Sequence, residues 1–407
     1  MRRATMSTST ETTATGAGTE TAEVPGFRFV QTPGPTNVPG RVLRAICAPT
    51  IDHRGPEFAA LARDVQHGMR RLLGTSQPVV MYPSSGTGGW EAALVNTLPP
   101  GAAVLAFDTG HFAGLWCEAA RRLGFAVEVL QGDWSRGPDP AALRERLAAD
   151  ASRSIAAVLV AHNETSTGVF ADLPACRAAL DDAGHPALLL VDVVSSLGSI
   201  DYRHDEWGVD VAVGASQKGL LLPPGLGFNA VSERALAASR AGGSPRGYWD
   251  WGPILEANEA GMYPYTPPTN LMLGLREALA MLLDDEGMPA VLVRHRRHAA
   301  ATRAAVAAWG LRTFCEAEDR HSPALTAVCM PDGLDERETR RVILSRYGVS
   351  LGAGLGRLAG EVLRIGHLGD FNDAMLIGVL GAVELGLRAC GTASRGGVAA
   401  AMEALAG

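Results

Sequence analysis

The chain has 407 residues, of which 47% are hydrophobic and 19% charged, and a formal net charge of −7. That length leaves room for two hydrophobic cores, and the acidic balance offers no basic field for nucleic acid. No apolar run reaches the ~20 uninterrupted residues of a membrane span, and six scattered cysteines without a Cys-x-x-Cys pair read as a reduced, cytoplasmic chain.

Residues 1–25 are Thr, Ser, Ala, Gly and Glu with almost no large apolar side chains, so a disordered tail is expected. From Glu57 the pattern alternates. Glu57 to Leu73 has helical spacing, and 77–82 is a short apolar strand. Trp90 to Leu98 is a helix, 103–107 a strand and Leu115 to Leu123 a helix. Strands follow at 125–130, 155–161, 187–192 and 209–213, with helices at 140–149 and 173–183 between them. Apolar strands alternating with helices predict an α/β fold with a mostly parallel sheet covered on both faces.

Asp250 to Pro268 is rich in aromatics, Gly and Pro and reads as irregular. A helical stretch from Asn270 to Trp309 should break near Gly287 and Pro289. His295 and His298 fall on it at i, i+3 and read as a solvated basic face rather than a metal site. Strands at 325–330, 349–351 and 362–365 and a helix at 374–387 predict a smaller C-terminal α/β unit. The expected division is a tail at 1–25, a large domain at 26–295 whose N-terminal segment contributes to the site, and a small domain at 296–407.

Chemistry-bearing residues recur at the strand tips. Ser85-Gly86-Thr87-Gly88 lies between a strand and a helix, where small residues let backbone N–H groups approach an anion. Phe112 follows the next strand in a Gly-flanked turn and could stack on a flat ring. His162-Asn163-Glu164-Thr165 sits where open α/β sheets bind ligands. Asp192 and Lys218 end two apolar runs 26 positions apart, about one strand–crossover–strand unit. An amine and a carboxylate converging there suit a pyridoxal 5'-phosphate site. Arg364 interrupts an apolar strand and offers a fork for a carboxylate. Each feature alone is compatible with a cap, a loop or a surface charge; six in this order are not.

With Pro33-Gly34-Pro35-Thr36-Asn37, Asp52-His53-Arg54, Ser216-Gln217-Lys218, Tyr263-Pro264-Tyr265-Thr266 and Arg364-Ile365-Gly366, the chain resembles the class V pyridoxal phosphate aminotransferases of fold type I. It looks most like their alanine/serine–glyoxylate group, over roughly residues 27–400. The resemblance implies that Lys218 forms the Schiff base and moves protons while Asp192 holds the ring nitrogen. It implies that Val194 and Phe112 flank the ring and that Thr165 approaches the ring hydroxyl. Ser85, Gly86, Thr87 and Gln217 would hold the phosphate. Arg364 would bind the substrate carboxylate, with Asn37 and Arg54 on the substrate side and Arg54 a second anchor for the donor. Tyr263 and Thr266 would reach the phosphate of a partner subunit in a homodimer that could pair into a tetramer. The implied reaction moves an amino group from serine, alanine or aspartate to glyoxylate. Alternatives are an ureidoglycine–glyoxylate aminotransferase, a lyase, a desulfurase (which Cys329, in a strand-like run, weighs against) and a nicotinamide-dependent dehydrogenase. The last lacks Gly-x-Gly-x-x-Gly after any strand.

Overall fold

The computed structural model describes residues 25–26, 28–392 and 396–407, so the expected N-terminal tail lies outside the described residues but for Pro25. The chain opens with β1 (Phe29–Gln31), α1 (Gly40–Ile46) and α2 (Pro56–Leu73). Pro56 starts α2 where its missing N–H leaves no bond unmade, and Gly74 ends it in the left-handed region at φ +64°. There follow β2 (Val79–Ser84), α3 (Gly86–Thr97), β3 (Ala103–Asp108), α4 (His111–Arg122), β4 (Ala126–Gln131), α5 (Pro140–Ala149) and β5 (Ile155–Ala161). A small ribbon, β6 (Asn163–Glu164) and β7 (Val169–Phe170), precedes α6 (Leu173–Asp182), β8 (Leu188–Asp192), β9 (Val211–Ala215), β10 (Gly225–Val231) and α7 (Glu233–Gly242).

Seven of these strands form one sheet in the order β2-β10-β9-β8-β5-β3-β4. Only β10 runs antiparallel, pairing with both β9 and β2. Side chains alternate between its faces. Met81, Leu105, Val158, Leu189 and Ala212 join α2, α6 and a later helix in one core, whereas Val80, Val104, Ala157, Leu190 and Val211 join α3, α4 and α7 in the other. Burial on both faces explains the unbroken apolar runs.

β10 is the strand that hydrophobic patterning misses. Gly225, Gly227 and Asn229 interrupt its apolar run. Asn229 is buried because its amide is used: Tyr82 Oη donates to its Oδ1 (3.1 Å), and its Nδ2 donates to the Gly89 carbonyl (3.2 Å). Opposite Gly214 on β9 lies Phe228, and a Cβ at Gly214 would stand 2.0 Å from the ring.

The next stretch corrects one expectation. α8 (Trp251–Glu259) lies inside the region read as irregular. Gly252 and Pro253 look like breakers, but both fall in the first turn, whose N–H groups have no partner within the helix. Asp250 caps it by accepting from Gly252 N (3.1 Å). α9 (Thr269–Ala280) then passes through one wide turn (Met281–Asp285) to α10 (Met288–Ala308), broken at Gly287 and Pro289 as expected.

The remaining elements are β11 (Arg312–Thr313), β12 (Leu325–Cys329), α11 (Glu336–Tyr347), β13 (Val349–Ala353), β14 (Val362–Gly366), α12 (Asp373–Ala389) and α13 (Gly397–Ala406). Their sheet runs β1-β13-β14-β12-β11, so it takes its edge strand from the N-terminus. The division expected at 295/296 falls inside the continuous helix α10, and residues 29–31 belong with the C-terminal strands. His295 and His298 are fully buried, not on a solvated face. His295 Nδ1 meets the Val291 carbonyl (2.8 Å), its Nε2 accepts from Gly369 N (3.2 Å), and His298 Nε2 meets Asp373 (2.8 Å). Asp373, 75 positions away on α12, is the partner that local sequence could not show. No helix among the described residues is long and apolar enough to cross a membrane.

Replacing Gly214 by Ala forces a methyl group against the Phe228 ring and should cost about 1–3 kcal/mol, as overpacked cores do. A lowered urea midpoint checks this; an unchanged one would show that the ring has room to move.

Candidate active site

The carboxyl ends of β5, β8 and β9 and the start of α3 meet around a cavity of about 240 Å³. The strand order reverses direction here: β5 is followed on one side by β8 and β9, and has β3 and β4 on the other. Such a switch point leaves a crevice beyond the strand ends. Ser85, Gly86, Thr87, Phe112, Thr165, Asp192, Val194, Gln217 and Lys218 all line the cavity, joined by Trp90, Ser195 and the loop at Gly34 and Pro35.

Asp192 ends β8 with its side chain nearly out of water. Its carboxylate accepts from Val194 N (2.7 Å) and from Trp90 Nε1 (3.0 Å). Burial outweighs these bonds and pushes the carboxyl up to about 7. Lys218 is equally buried. Desolvation, then the Arg364 charge, lowers its amine to about 8 against the opposing pull of Asp192 and Glu164. The N-terminal loop holds the amine in place: Lys218 Nζ donates to the Pro33 carbonyl, and Thr36 Oγ1 donates to the Lys218 carbonyl (3.2 Å). Gly34 must be glycine here, since it has φ +103° and a Cβ would stand 2.2 Å from Lys218 Cδ.

A second set of groups faces an anion. Ser85 stands before the first turn of α3, and its side chain makes no capping bond. The turn's N–H groups and the Ser85 and Thr87 hydroxyls therefore remain for a ligand. Gly86 packs so closely on Val194 that a Cβ would lie 2.6 Å from its Cγ2. The Gln217 Oε1 atom is buried without a partner among the described residues. A lysine, a carboxylate and an anion cradle around a flat-ring-sized space fit pyridoxal phosphate.

The cavity wall is braced from behind. Thr165 Oγ1 donates to Ser195 Oγ (2.7 Å), which donates to the Asn163 carbonyl (3.0 Å). Glu164 accepts from the Phe112 and Ala113 N–H groups (3.3 and 3.0 Å), capping α4 and fixing Phe112 at the rim. Arg364 reaches across from β14: Nη1 donates to the Thr165 carbonyl and Nε to the Ala353 carbonyl, both at 2.7 Å. Desolvation lowers its guanidinium to about 10. Arg364 stands behind Thr165 rather than in the cavity wall.

Besides Arg364, four further expected residues do not line this cavity. Asn37 instead brackets Val30, accepting from its N–H (3.1 Å) and donating to its carbonyl (3.2 Å), which ties down β1. Arg54 is exposed, as is Thr266. Tyr263 lines a separate cavity with Gln66 and Arg70, its hydroxyl buried beside Gln66 and without a hydrogen bond of normal geometry among the described residues. Sequence reasoning had not singled out Trp90 or Ser195. Trp90 follows Gly88-Gly89 one turn into α3, and that position under the anion cradle was its only signal.

The family model for class-V aminotransferases matches residues 33–362. The chain belongs to that family. It is 44% identical to the serine–glyoxylate aminotransferase of Methylorubrum extorquens over 89% of this chain and 92% of that one. It is 42% identical to the L-aspartate–glyoxylate aminotransferase of Paracoccus denitrificans, over 91% and 94%. Among solved structures, an alanine–glyoxylate aminotransferase from Nostoc superimposes with a TM-score of 0.82 at 32% identity, over 90% and 96%. The class-V fold is thus shared along nearly the whole chain. Cys329, buried in β12, offers no mobile thiol of the kind a desulfurase needs.

In the cofactor-free class-V chain, Asp192 keeps a proton up to about pH 7, whereas the unfolded carboxyl loses it near 3.8. The folded state binds the extra proton between those values, so stability falls as pH rises through that window. Asp192→Asn should flatten this fall, read as urea midpoints across the window. Equal slopes in both proteins would assign the effect to another group.

Proposed function

We propose that this chain is a pyridoxal phosphate-dependent aminotransferase that moves the amino group of serine to glyoxylate, giving glycine and a 2-oxo acid. The observation that carries this reading is the convergence of Lys218 and Asp192 on one small cavity beside the Ser85–Thr87 cradle. The names of the serine- and aspartate-using relatives support the substrate class.

When bound, the cofactor supplies a ring that accepts the electron pair left by removal of the amino acid's α-proton. Asp192 holds the ring nitrogen in its protonated state, where a cation also relieves the cost of the buried carboxylate. The Ser85 and Thr87 hydroxyls, the Gln217 amide and the first N–H groups of α3 bind the phosphate. Phe112 and Val194, which line the cavity, would hold the ring, and Thr165 would hold its hydroxyl. Lys218 would take the α-proton at Nζ and deliver it away from the α-carbon, leaving that carbon to become the 2-oxo acid's; an amine lowered to about 8 is available as a base near neutral pH. Arg364 binds the α-carboxylate through its fork, turning it from the Thr165 carbonyl. Asn37 acts through β1, and Arg54 serves as an outer anchor for the donor.

We further propose a homodimer in which Tyr263 and Thr266 complete the partner's phosphate site. The exposed Thr266 and the Tyr263 hydroxyl, which makes no hydrogen bond of normal geometry among the described residues, both lie away from their own cavity and support this. Six free cysteines suit a reducing, cytoplasmic setting.

Mixing the holoenzyme with single amino acids and following loss of its visible absorbance tests the donor. Serine should react faster than alanine or aspartate, and a reversed order refutes the serine assignment. Lys218→Ala should lower turnover by roughly 10²–10⁴-fold and prevent borohydride from fixing the cofactor to the chain. Retained fixation at another residue would overturn the role of Lys218.

A further inference from the structure

A second cavity, of about 410 Å³, lies where α10 and the loop before β12 meet the loops around β7 and after β8. That volume is within the range of small-molecule sites. His162 forms part of its wall and is 2% exposed. Its ring sits among three aromatics, with centroids 6.4 Å from Phe170, 5.9 Å from Tyr202 and 6.0 Å from Trp207. Neither ring nitrogen makes a hydrogen bond to a described residue, and Nδ1 is wholly buried. Desolvation lowers the ring to about 3, so it is neutral and offers one donor and one acceptor. A buried polar group without a partner is costly, and a ligand or an ordered water in the cavity relieves that cost.

The charges around the rim are unequal in what they have left to bind. Asp172 is engaged by Arg320 (3.2 Å) and by Ala175 N (3.0 Å). Asp319 pairs with Arg320 (3.3 Å), and Asp201 with Arg203 (3.0 Å). Arg296, on α10, has no hydrogen bond, ion pair or ring contact with any described residue. Arg296 is therefore the lining cation not already committed to a carboxylate, although Asp172, Asp201 and Asp319 share the rim with it, above walls of Phe170, Ile200 and Trp207.

We propose that this cavity is a binding site for a small monocarboxylate with a flat apolar body, its carboxylate on Arg296, its body against Trp207 and Phe170, and a polar atom on His162. The site is separate from the Lys218 cavity but adjoins it through the backbone. His162 N donates to the Asp192 carbonyl (2.9 Å), and its carbonyl accepts from Ala171 N (2.7 Å).

Titration calorimetry of the holoenzyme with 3-phenylpropionate tests the proposal, with 3-phenylpropionamide as the uncharged control. The acid should bind, and the amide should bind about tenfold weaker or not at all. Arg296→Glu alters an exposed side chain and should weaken the acid by about tenfold or more, while Trp207→Leu should weaken acid and amide alike. Arg364→Gln should leave the affinity unchanged. Absence of binding, or binding lost in Arg364→Gln and kept in Arg296→Glu, overturns the proposal and in the second case places the acid in the cofactor cavity.

Discussion

Asp192 and Lys218 share one nearly dry cavity, and keeping two ionisable groups there constrains everything around them. Each loses hydration on burial, which drives both toward their neutral forms. Their separation in sequence forbids any local solution. They meet because β8 and β9 are adjacent and parallel, so both chains leave the sheet on the same side. Parallel pairing requires a crossover between them, and residues 193–210 supply it. The sheet's two apolar faces follow from the helices and loops that such crossovers lay down.

Once the pair is placed, its supports are nearly determined. The carboxylate needs donors, and the Val194 amide and the Trp90 indole provide them without adding charge. The amine needs an acceptor, and the Pro33 carbonyl provides it from a loop that only Gly34 allows to come so near. The anion cradle at α3 can face the same space because its cap residue leaves the first turn unsatisfied. Glu164 completes the rim by holding the start of α4, and with it Phe112.

Much of this was legible in the sequence. Strands buried on both faces announce themselves as apolar runs, and the polar residues at their tips stand out against that background. Ser85, Gly86, Thr87, Phe112, Thr165, Asp192, Val194, Gln217 and Lys218 fall in one wall for that reason. β10 was hidden because its glycines and Asn229 serve contacts with other strands, which periodicity does not record. α8 was hidden because a proline in a first turn looks like a proline in a loop. His298 looked solvated because Asp373 is brought to it only by the packing of α12 on α10. Tyr263, Thr266, Arg54 and Asn37 were carried by family likeness, and a single folded chain gives them other neighbours.

The edge strand β1 has a consequence for assembly on the ribosome. It pairs with β13, so Phe29 waits for Val349, 320 residues behind it. The loop that presses on Lys218 follows β1 directly, and Thr36 closes it against the Lys218 carbonyl. The large sheet can form while the rest of the chain is still being made, but the roof over its amine cannot be seated until nearly the whole polypeptide has emerged. A segment made well before most of the chain is thus among the last to find its place, and a chain released early would carry its lysine uncovered.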